Sequence, residues 1–195
     1  MHRTHKTLPQ PSAEPPELRT ARLLLRPLRM SDAAEIARIG GQRAIADTTI
    51  SVPHPLDETG ARDWIREHLA VPLAEQVPYV ATLPAGGPML GFVALKHIEA
   101  EHRQAELSFW FDPAVWGKGY AREAAARVVE YAFNEAGIRR LVAYYMVRNQ
   151  ASGRLLDSLG FFQEGLFRER VIKWGVLEDV IAAALLAPRP PRAAV

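Results

Sequence analysis

The chain has 195 residues, of which 48% are hydrophobic and 24% are charged, so it can bury one sizeable core and its length predicts one domain. Its 24 Lys and Arg residues against 22 Asp and Glu residues leave a net charge of +2, which is too small to favour nucleic acid as the main partner. The lack of cysteine excludes a disulfide framework, a thiol nucleophile and cysteine-ligated zinc, and it fits a cytoplasmic location.

The two ends of the chain differ in composition from the middle. Residues 1–17 carry four of the chain's 15 prolines among polar residues, and residues 188–195 read PRPPRAAV. Because neither end can bury enough apolar surface to order itself, we expect tails at 1–17 and 188–195 and one domain at 18–187. The first residues carry no apolar signal core, and the longest clearly apolar run, Val180 to Ala187, is far too short to cross a membrane. We therefore expect neither export nor a membrane partner.

The first part of the domain predicts a strand, two helices and a hairpin. Leu18 to Leu28 contains consecutive leucines and ends near a proline, which is typical of a strand. The sequence SDAAEIARIGG predicts a short helix with Ser31 as its N-cap and glycines at its end, and DETGARDWIREHL predicts a second helix. Two apolar runs, VPYVATLP and MLGFVALKHI, are separated by AGGP, so we expect a hairpin.

The rest of the domain alternates strands with helices. AELSFWFD predicts a strand with Leu107, Phe109 and Phe111 on one face and Glu106, Ser108 and Trp110 on the other. An amphipathic helix that ends at Gly137, a buried strand LVAYYMV, a short helix ASGRLLDSL and two strands about Trp174 follow. The order βααβββαβαββ, with no internal repeat, predicts an α/β protein with a single mixed central β-sheet flanked by helices.

The segment Trp116 to Ala124, WGKGYAREA, lies between a strand and a helix. Backbone N–H groups at such a turn can converge on an anion, and Gly117 and Gly119 would let that anion come close. The plainer interpretation is a tight turn, because neither the P-loop pattern nor the dinucleotide fingerprint fits. Arg122 opposes the helix dipole, a penalty that a bound phosphate would reverse, although it can also be a solvated arginine offset by Glu123.

This segment resembles the acyl-CoA pyrophosphate loop of the GNAT N-acetyltransferases, in particular the RimJ/RimL branch, whose members acetylate ribosomal-protein N-termini and various small amines. Other segments resemble that branch in the same order along the chain: Leu18 to Leu28, Glu106 to Phe111, Asn149-x-x-Ser152, and Leu159-Gly160-Phe161. The resemblance implies the GNAT fold over roughly residues 18–187. It also implies acetyl-CoA as co-substrate, no metal, and an acceptor that carries an amine.

The resemblance implies a set of residues that bind acetyl-CoA. These are Phe109, Trp110, Phe111, Trp116, Gly117, Lys118, Gly119, Tyr120, Ala121, Arg122, Asn149 and Ser152. Many GNAT enzymes place a tyrosine seven residues after the asparagine, where it protonates the departing thiolate, but this chain has Leu156 there. In RimL-like members a serine three residues after the asparagine is proposed for that role, which makes Ser152 the candidate general acid. The alternatives are an N-cap role for Asn149 and a helix-end hydroxyl role for Ser152.

The reaction itself needs a neutral amine, a donor for the oxyanion and a proton for the thiolate, but no covalent enzyme intermediate. Glu106 is the candidate base, acting through water, and its alternative is a solvated strand carboxylate. Where RimL-like proteins carry a further candidate acid this chain has Val171, and Glu169 would not replace it automatically. The six histidines are scattered, with none at i, i+4 spacing to another, so no metal site is predicted.

The sequence constrains the acceptor and the partners less than it constrains the co-substrate. Acceptors in this fold are commonly held by the first two helices and the final hairpin, here about Gly40 to Ala70 and Phe167 to Glu178. A peptide α-amine is easier to deprotonate than a lysine amine by about 3–4 kcal/mol, which slightly favours peptide N-termini, a ribosomal protein among them, over polyamines, amino acids or aminoglycoside-like amines. A homodimer is left open.

Two functions of another class also stay open. The first is a non-catalytic acyl-CoA-binding or regulatory domain. The second is a ribosome- or RNA-associated protein that uses Arg139, Arg140 and the FRERVIK stretch as a basic surface, although such a stretch is also typical of a solvated face.

Overall fold

The computed structural model describes residues 14–188, so residues 1–13 and 189–195 of the two predicted tails lie outside the described residues. The elements, in chain order, are β1 (Leu18–Arg19), β2 (Leu24–Pro27), a 3-10 turn (Met30–Asp32), α1 (Ala33–Gly40), α2 (Arg43–Thr48), α3 (Glu58–Ala70), β3 (Val77–Thr82), β4 (Gly91–Glu99), β5 (Gln104–Phe111), a second 3-10 turn (Pro113–Val115), α4 (Tyr120–Asn134), β6 (Arg140–Met146), α5 (Gln150–Ser158), β7 (Phe162–Lys173) and β8 (Val176–Leu186).

The eight strands form one sheet in the order β1-β2-β3-β4-β5-β6-β8-β7. Every described neighbouring pair is antiparallel except β5 and β6, which are parallel and are joined by the crossover helix α4. A parallel pair requires such a crossover, and an amphipathic helix provides it. The predicted single mixed sheet flanked by helices is therefore confirmed.

The parallel pair separates after a short contact. β5 pairs with β6 only at Gln104, Ala105 and Glu106, opposite Arg140, Leu141 and Val142. From Leu107 to Phe111 the β5 edge has no ladder partner in β6 among the described residues. Since unpaired backbone N–H and C=O groups need partners, this edge is suited to a ligand that brings its own amides.

The two faces of the sheet have separate cores. Leu107 and Phe111 of β5 are buried in the core that includes α4, whereas Trp110 is buried in the core that includes α1 and α3. The predicted alternation of β5 is therefore confirmed, and Glu106 and Ser108 lie on the Trp110 face. On that face Trp64, Phe92 and Trp110 form an aromatic cluster, with 5.7 Å between the Phe92 and Trp110 ring centroids.

Two predictions for the first part of the domain are wrong in detail. Leu18 to Leu28 is not one strand but the antiparallel hairpin β1–β2, because the Thr20 hydroxyl accepts from the Leu23 N–H at 2.8 Å and closes a turn. Ser31 lies inside a 3-10 turn and is not the N-cap. Instead, Asp32 occupies the start of α1, where its carboxylate accepts from the Arg29 N–H at 2.8 Å and pairs with Arg26 at 2.6 Å.

Helix α2 is an element that the sequence pattern did not predict. It has only six residues and buries only Ile45 and Ala46, so it is too short to show a helical periodicity. Its position matters, because Thr48 and the segment that follows it cover the candidate site.

Candidate active site

The start of α4 presents unpaired backbone donors. The first intrahelical bond runs from the Glu123 N–H to the Gly119 carbonyl at 3.0 Å, and Gly119 provides no side-chain cap. Consequently the N–H groups of Tyr120, Ala121 and Arg122 have no partner among the described residues. Together with the positive end of a 15-residue helix they make a site for an anion.

The loop before α4 adopts a conformation that favours glycine. Gly117 has a φ of 75° and Gly119 a φ of 80°, both in the left-handed region. A Cβ on Gly119 would lie 3.3 Å from a guanidinium nitrogen of Arg22, whereas one on Gly117 would meet nothing within 4 Å. Both glycines are therefore needed for the turn, and only Gly119 lies close to another side chain.

Two of the predicted loop residues brace the loop itself. The Trp116 indole N–H donates to the Phe111 carbonyl at 2.7 Å, and the Lys118 ammonium donates to the Ala114 carbonyl at 3.1 Å. Trp116 still lines the cavity beside the loop, but Lys118 is not among the described residues that do so.

A contact from the β1–β2 turn fixes the loop from outside. The Arg22 guanidinium donates to the Lys118 carbonyl at 3.0 Å, pairs with Glu123 at 2.6 Å and lies 4.6 Å from the Tyr120 ring centroid. Burial alone would raise the pKa of Glu123, but hydrogen bonds from Thr20 and Arg22 outweigh it and lower that pKa. Sequence reasoning missed this role of Arg22, because nothing in the spacing links two residues 101 positions apart.

Arg122 has a different partner from the one considered in the sequence. Its guanidinium donates to the Ser158 hydroxyl at 3.0 Å and to the Ser158 carbonyl at 3.2 Å, at the end of α5. The interpretation that Glu123 offsets its charge is wrong, since Glu123 pairs with Arg22. Arg122 nevertheless lines the cavity beside the loop.

Two adjoining cavities run from this loop to the middle of the sheet. The cavity beside the loop has a volume of about 380 Å³, and the one between β5, β6 and the segment after α2 has a volume of about 700 Å³. The residues that line both are Thr48, Thr49, Phe109, Trp110, Asn149 and Ser152. The anion site, the free edge of β5 and the larger cavity are therefore joined.

Asn149 and Ser152 lie where the two cavities meet. Asn149 is the N-cap of α5, since its side-chain oxygen accepts from the Ser152 N–H at 3.1 Å, and this interpretation is confirmed. Its side-chain amide donates to the Ser152 hydroxyl oxygen at 2.9 Å and to the Thr48 carbonyl at 2.7 Å. The Ser152 hydroxyl thus accepts from Asn149, and its own proton has no acceptor among the described residues.

Glu106 lines the larger cavity and is not a solvated strand carboxylate. Its side chain is only 20% exposed, and its carboxylate lies 3.1 Å from Nδ1 of His97 on β4. Lys96 is directly opposite Glu106 in the strand register. Burial lowers the pKa of Lys96, although the nearby Glu106 charge acts in the other direction.

The larger cavity is covered by the segments expected to hold the acceptor. Thr48 to Val52, Trp64, Arg170 and Val171 line it. The exposed Glu169 is not among the described lining residues, and its N–H donates to the Asp179 carboxylate at 2.7 Å. Glu169 therefore does not take the place of the candidate acid that RimL-like proteins carry where this chain has Val171.

The hairpin tip and α2 meet over this cavity. The Trp174 indole N–H donates to the Asp47 carboxylate at 2.8 Å, and the Arg43 guanidinium lies 4.7 Å from the Trp174 ring centroid. The pKa of Asp47 is lowered, first by the Trp174 hydrogen bond and then by Arg148. Sequence reasoning missed these contacts.

Sequence reasoning also missed Tyr145. Its ring lines the cavity and lies beside Gly153, and burial raises its pKa.

Residues 14–188 contain no group of three or more His, Asp or Glu side chains that could hold a metal ion. None of the described helices is long and apolar enough to cross a membrane.

The comparisons with known proteins agree with this geometry. The model of the acetyltransferase (GNAT) domain family matches residues 22–162. The chain belongs to the GNAT acetyltransferase family. GNAT acetyltransferases use acetyl-CoA, so the predicted family, its enzyme class and its co-substrate agree with this match.

Individual relatives differ in how much of the chain they match. The uncharacterised N-acetyltransferase p20 of Bacillus licheniformis is 29% identical over 170 residues, 87% of this chain and 95% of that protein. The ribosomal protein uS5-alanine N-acetyltransferase of Escherichia coli (strain K12) is 36% identical over 72 residues, 37% of each chain. The spermidine N(1)-acetyltransferase of Vibrio cholerae is 30% identical over 92 residues, 47% of this chain and 53% of that protein. The chain spans little more than half the length of several other curated relatives.

Solved structures show the same fold. RimJ of Mycobacterium smegmatis, in complex with CoA-disulfide, superposes with a TM-score of 0.78 at 23% identity and covers 91% of this chain and 89% of its own. This likeness establishes the shared fold.

Proposed function

We propose that this chain transfers the acetyl group of acetyl-CoA to a primary amine by direct attack of the amine on the thioester. The observation that carries the proposal is the separation of β5 from β6 after Glu106, which leads from the anion site at α4 into a cavity that Ser152 lines. The anion site, the free β5 edge and the cavity follow one another in the order in which a GNAT acetyltransferase needs them.

The residues present fit acetyl-CoA as a substrate. The unpaired N–H groups of Tyr120 to Arg122 suit the pyrophosphate, and Gly117 and Gly119 give the loop its turn. The free β5 edge suits the amides of the pantetheine arm, and Phe109 and Trp110 line its path. Asn149 and Ser152 then lie beside the end of that path.

The same residues support a sequence of proton transfers. The acceptor ammonium first loses one proton to a base that lines the larger cavity beside Glu106, and the neutral amine attacks the thioester carbonyl carbon. The oxyanion accepts from a backbone N–H on the free β5 edge. The C–S bond then breaks, and the thiolate takes the Ser152 hydroxyl proton while the amide nitrogen returns one to Ser152.

The charge of the larger cavity supports an acceptor with a single α-amine over a polyamine. Its lining contains two carboxylates, Glu99 and Glu106, and three basic side chains, Lys96, Arg140 and Arg170, of which Arg140 is paired with Glu164. A polyamine would bring several positive charges into a lining that is not acidic, whereas a peptide N-terminus brings one. A protein N-terminal α-amine, such as that of a ribosomal protein, is therefore the proposed acceptor, and the reducing cytoplasm is the proposed location.

The RNA-associated alternative has less support. The Arg139 guanidinium donates to the Pro188 carbonyl at 2.8 Å, and Arg140 donates to Glu164 at 2.8 Å. Arg140 is therefore paired with a carboxylate, and Arg139 is held by a backbone carbonyl within the protein. We expect little RNA binding even at low salt, whereas binding that is strong at low salt and lost with added salt would favour this alternative.

The test is thiol release from acetyl-CoA, screened over Ala- and Ser-starting peptides, polyamines and aminoglycosides. We expect release with the peptides and little with spermidine. Stabilisation by acetyl-CoA without release with any acceptor would favour the non-catalytic acyl-CoA-binding domain.

A further inference from the structure

Two proton-accepting side chains lie together at one end of the larger cavity. His97 of β4 and Glu106 of β5 both line it, and His97 Nδ1 lies 3.1 Å from a Glu106 carboxylate oxygen. A carboxylate only accepts hydrogen bonds, so a neutral imidazole in this contact carries its proton on Nδ1 and has a free lone pair on Nε2. The imidazole is 77% exposed, so it has direct access to water.

An irregularity in β4 brings His97 to this position. In a regular strand His97 would point away from the face that Lys96 occupies. The register between β4 and β5 shifts between Lys96 and Glu99, and His97 has a φ of 47°, in the region that side chains other than glycine rarely adopt. As a result both Lys96 and His97 line the cavity. Backbone conformations of this kind are found at functional sites more often than elsewhere.

We propose that His97 is the base that takes the acceptor's ammonium proton, and that Glu106 is the residue that positions it. This inference rests on the proposed acetyl transfer. The proton moves to His97 Nε2, directly or through one water. The freed amine forms the C–N bond, and the C–S bond of the resulting oxyanion then breaks. The second proton of the amine reaches the thiolate by way of Ser152, and the imidazolium returns the first proton to solvent.

The chemistry of the two groups supports this division of roles. Imidazole is the side chain that most often serves as a general base. A carboxylate that accepts from one ring nitrogen fixes the tautomer and the orientation of the ring. Among the charged groups that line the same cavity, Glu106 and Glu99 stabilise an imidazolium, and Lys96, Arg140 and Arg170 oppose it.

The test compares His97→Gln with Glu106→Gln, the double variant and the control His102→Gln, which changes an exposed histidine in the turn between β4 and β5. We expect His97→Gln to lower kcat about 100-fold, the low end for general base catalysis, with the acceptor KM within about 3-fold. The ascending limb of the kcat/KM pH profile should disappear, and added imidazole should restore part of the rate. The double variant should be no slower than His97→Gln, and His102→Gln should match the parent.

An unchanged kcat and pH profile in His97→Gln would overturn the inference while leaving the proposed function intact. The inference would also be overturned if kcat falls in His97→Gln and added imidazole restores none of it, while the melting temperature and the response to acetyl-CoA match those of the parent. An inactive parent would contradict the proposed function itself, and with it the inference.

Discussion

The side-chain amide of Asn149 donates to the Thr48 carbonyl oxygen at 2.7 Å and so joins the start of α5 to the end of α2. The same amide holds the Ser152 hydroxyl oxygen at 2.9 Å. One side chain therefore positions both the candidate proton donor and the segment that covers the acceptor cavity.

Asn149→Ala should lower both stability and activity. Loss of the cap costs about 1 kcal/mol, and the Thr48 carbonyl and the Ser152 hydroxyl lose their donor. We expect a lower kcat and a higher acceptor KM, measured beside urea unfolding. Asp57→Ala is the matched control, because Asp57 caps α3 through the Gly60 N–H at 2.8 Å and lines neither cavity. Equal activity losses in the two variants would show that Asn149 acts through stability alone.

Gly119→Val should abolish the rise in melting temperature that acetyl-CoA gives the parent protein. The substitution forces a β-branched residue to a φ of 80° and places its Cβ 3.3 Å from Arg22, so the loop and its N–H groups must move. Gly86→Val is the control, because Gly86 has a φ of 86° but lies in the open turn between β3 and β4. Both should lose about 1–2 kcal/mol of folding stability. A folded Gly119→Val protein that keeps the full thermal response would contradict the loop assignment.

Ser152→Ala should lower kcat more than it raises the KM for acetyl-CoA, because the hydroxyl proton is needed only as charge gathers on sulfur. We expect a loss of about 10²-fold, the low end for general acid catalysis, since a thiolate is already a fair leaving group. Ser152→Thr keeps the hydroxyl and should retain most of the rate. An unchanged kcat in Ser152→Ala, with chemistry shown to be rate-limiting, would leave water as the donor.

Stability should fall between about pH 6.5 and about pH 4 because of His68. Burial against Trp64 and Phe92 lowers the pKa of His68 to about 4, below the value of about 6.5 expected in the unfolded chain. The unfolded state therefore binds more protons in this window, so the free energy of unfolding decreases as the pH falls through it. The loss should be about 1–3 kcal/mol, since the ring is partly exposed.

Urea unfolding of His68→Gln checks the effect of His68 on stability. That variant should lack most of the loss between about pH 6.5 and about pH 4, whereas His102→Gln should keep it. A parent-like pH dependence in His68→Gln would assign the loss to other groups.

Most of the fold and part of the site could be predicted from the sequence. The alternation of β5 and the N-cap role of Asn149 follow from local patterns, which is why both are confirmed. Arg22 and His97 could not be found in this way, because their roles depend on a contact across 101 residues and on a bulge between two strands. Helix α2 has too few residues to show periodicity, although Thr48 at its end lines both cavities.

Acetyl transfer to a peptide N-terminus is tested most directly by thiol release from acetyl-CoA with one Ala-starting peptide, compared with the same peptide whose N-terminus is already acetylated. Mass spectrometry of the product peptide reports where the acetyl group goes. We expect stoichiometric thiol release and one added acetyl group on the free α-amine, and no reaction with the blocked peptide. Equal thiol release from both peptides, or binding of acetyl-CoA without any acetylated product, would contradict the proposed transfer.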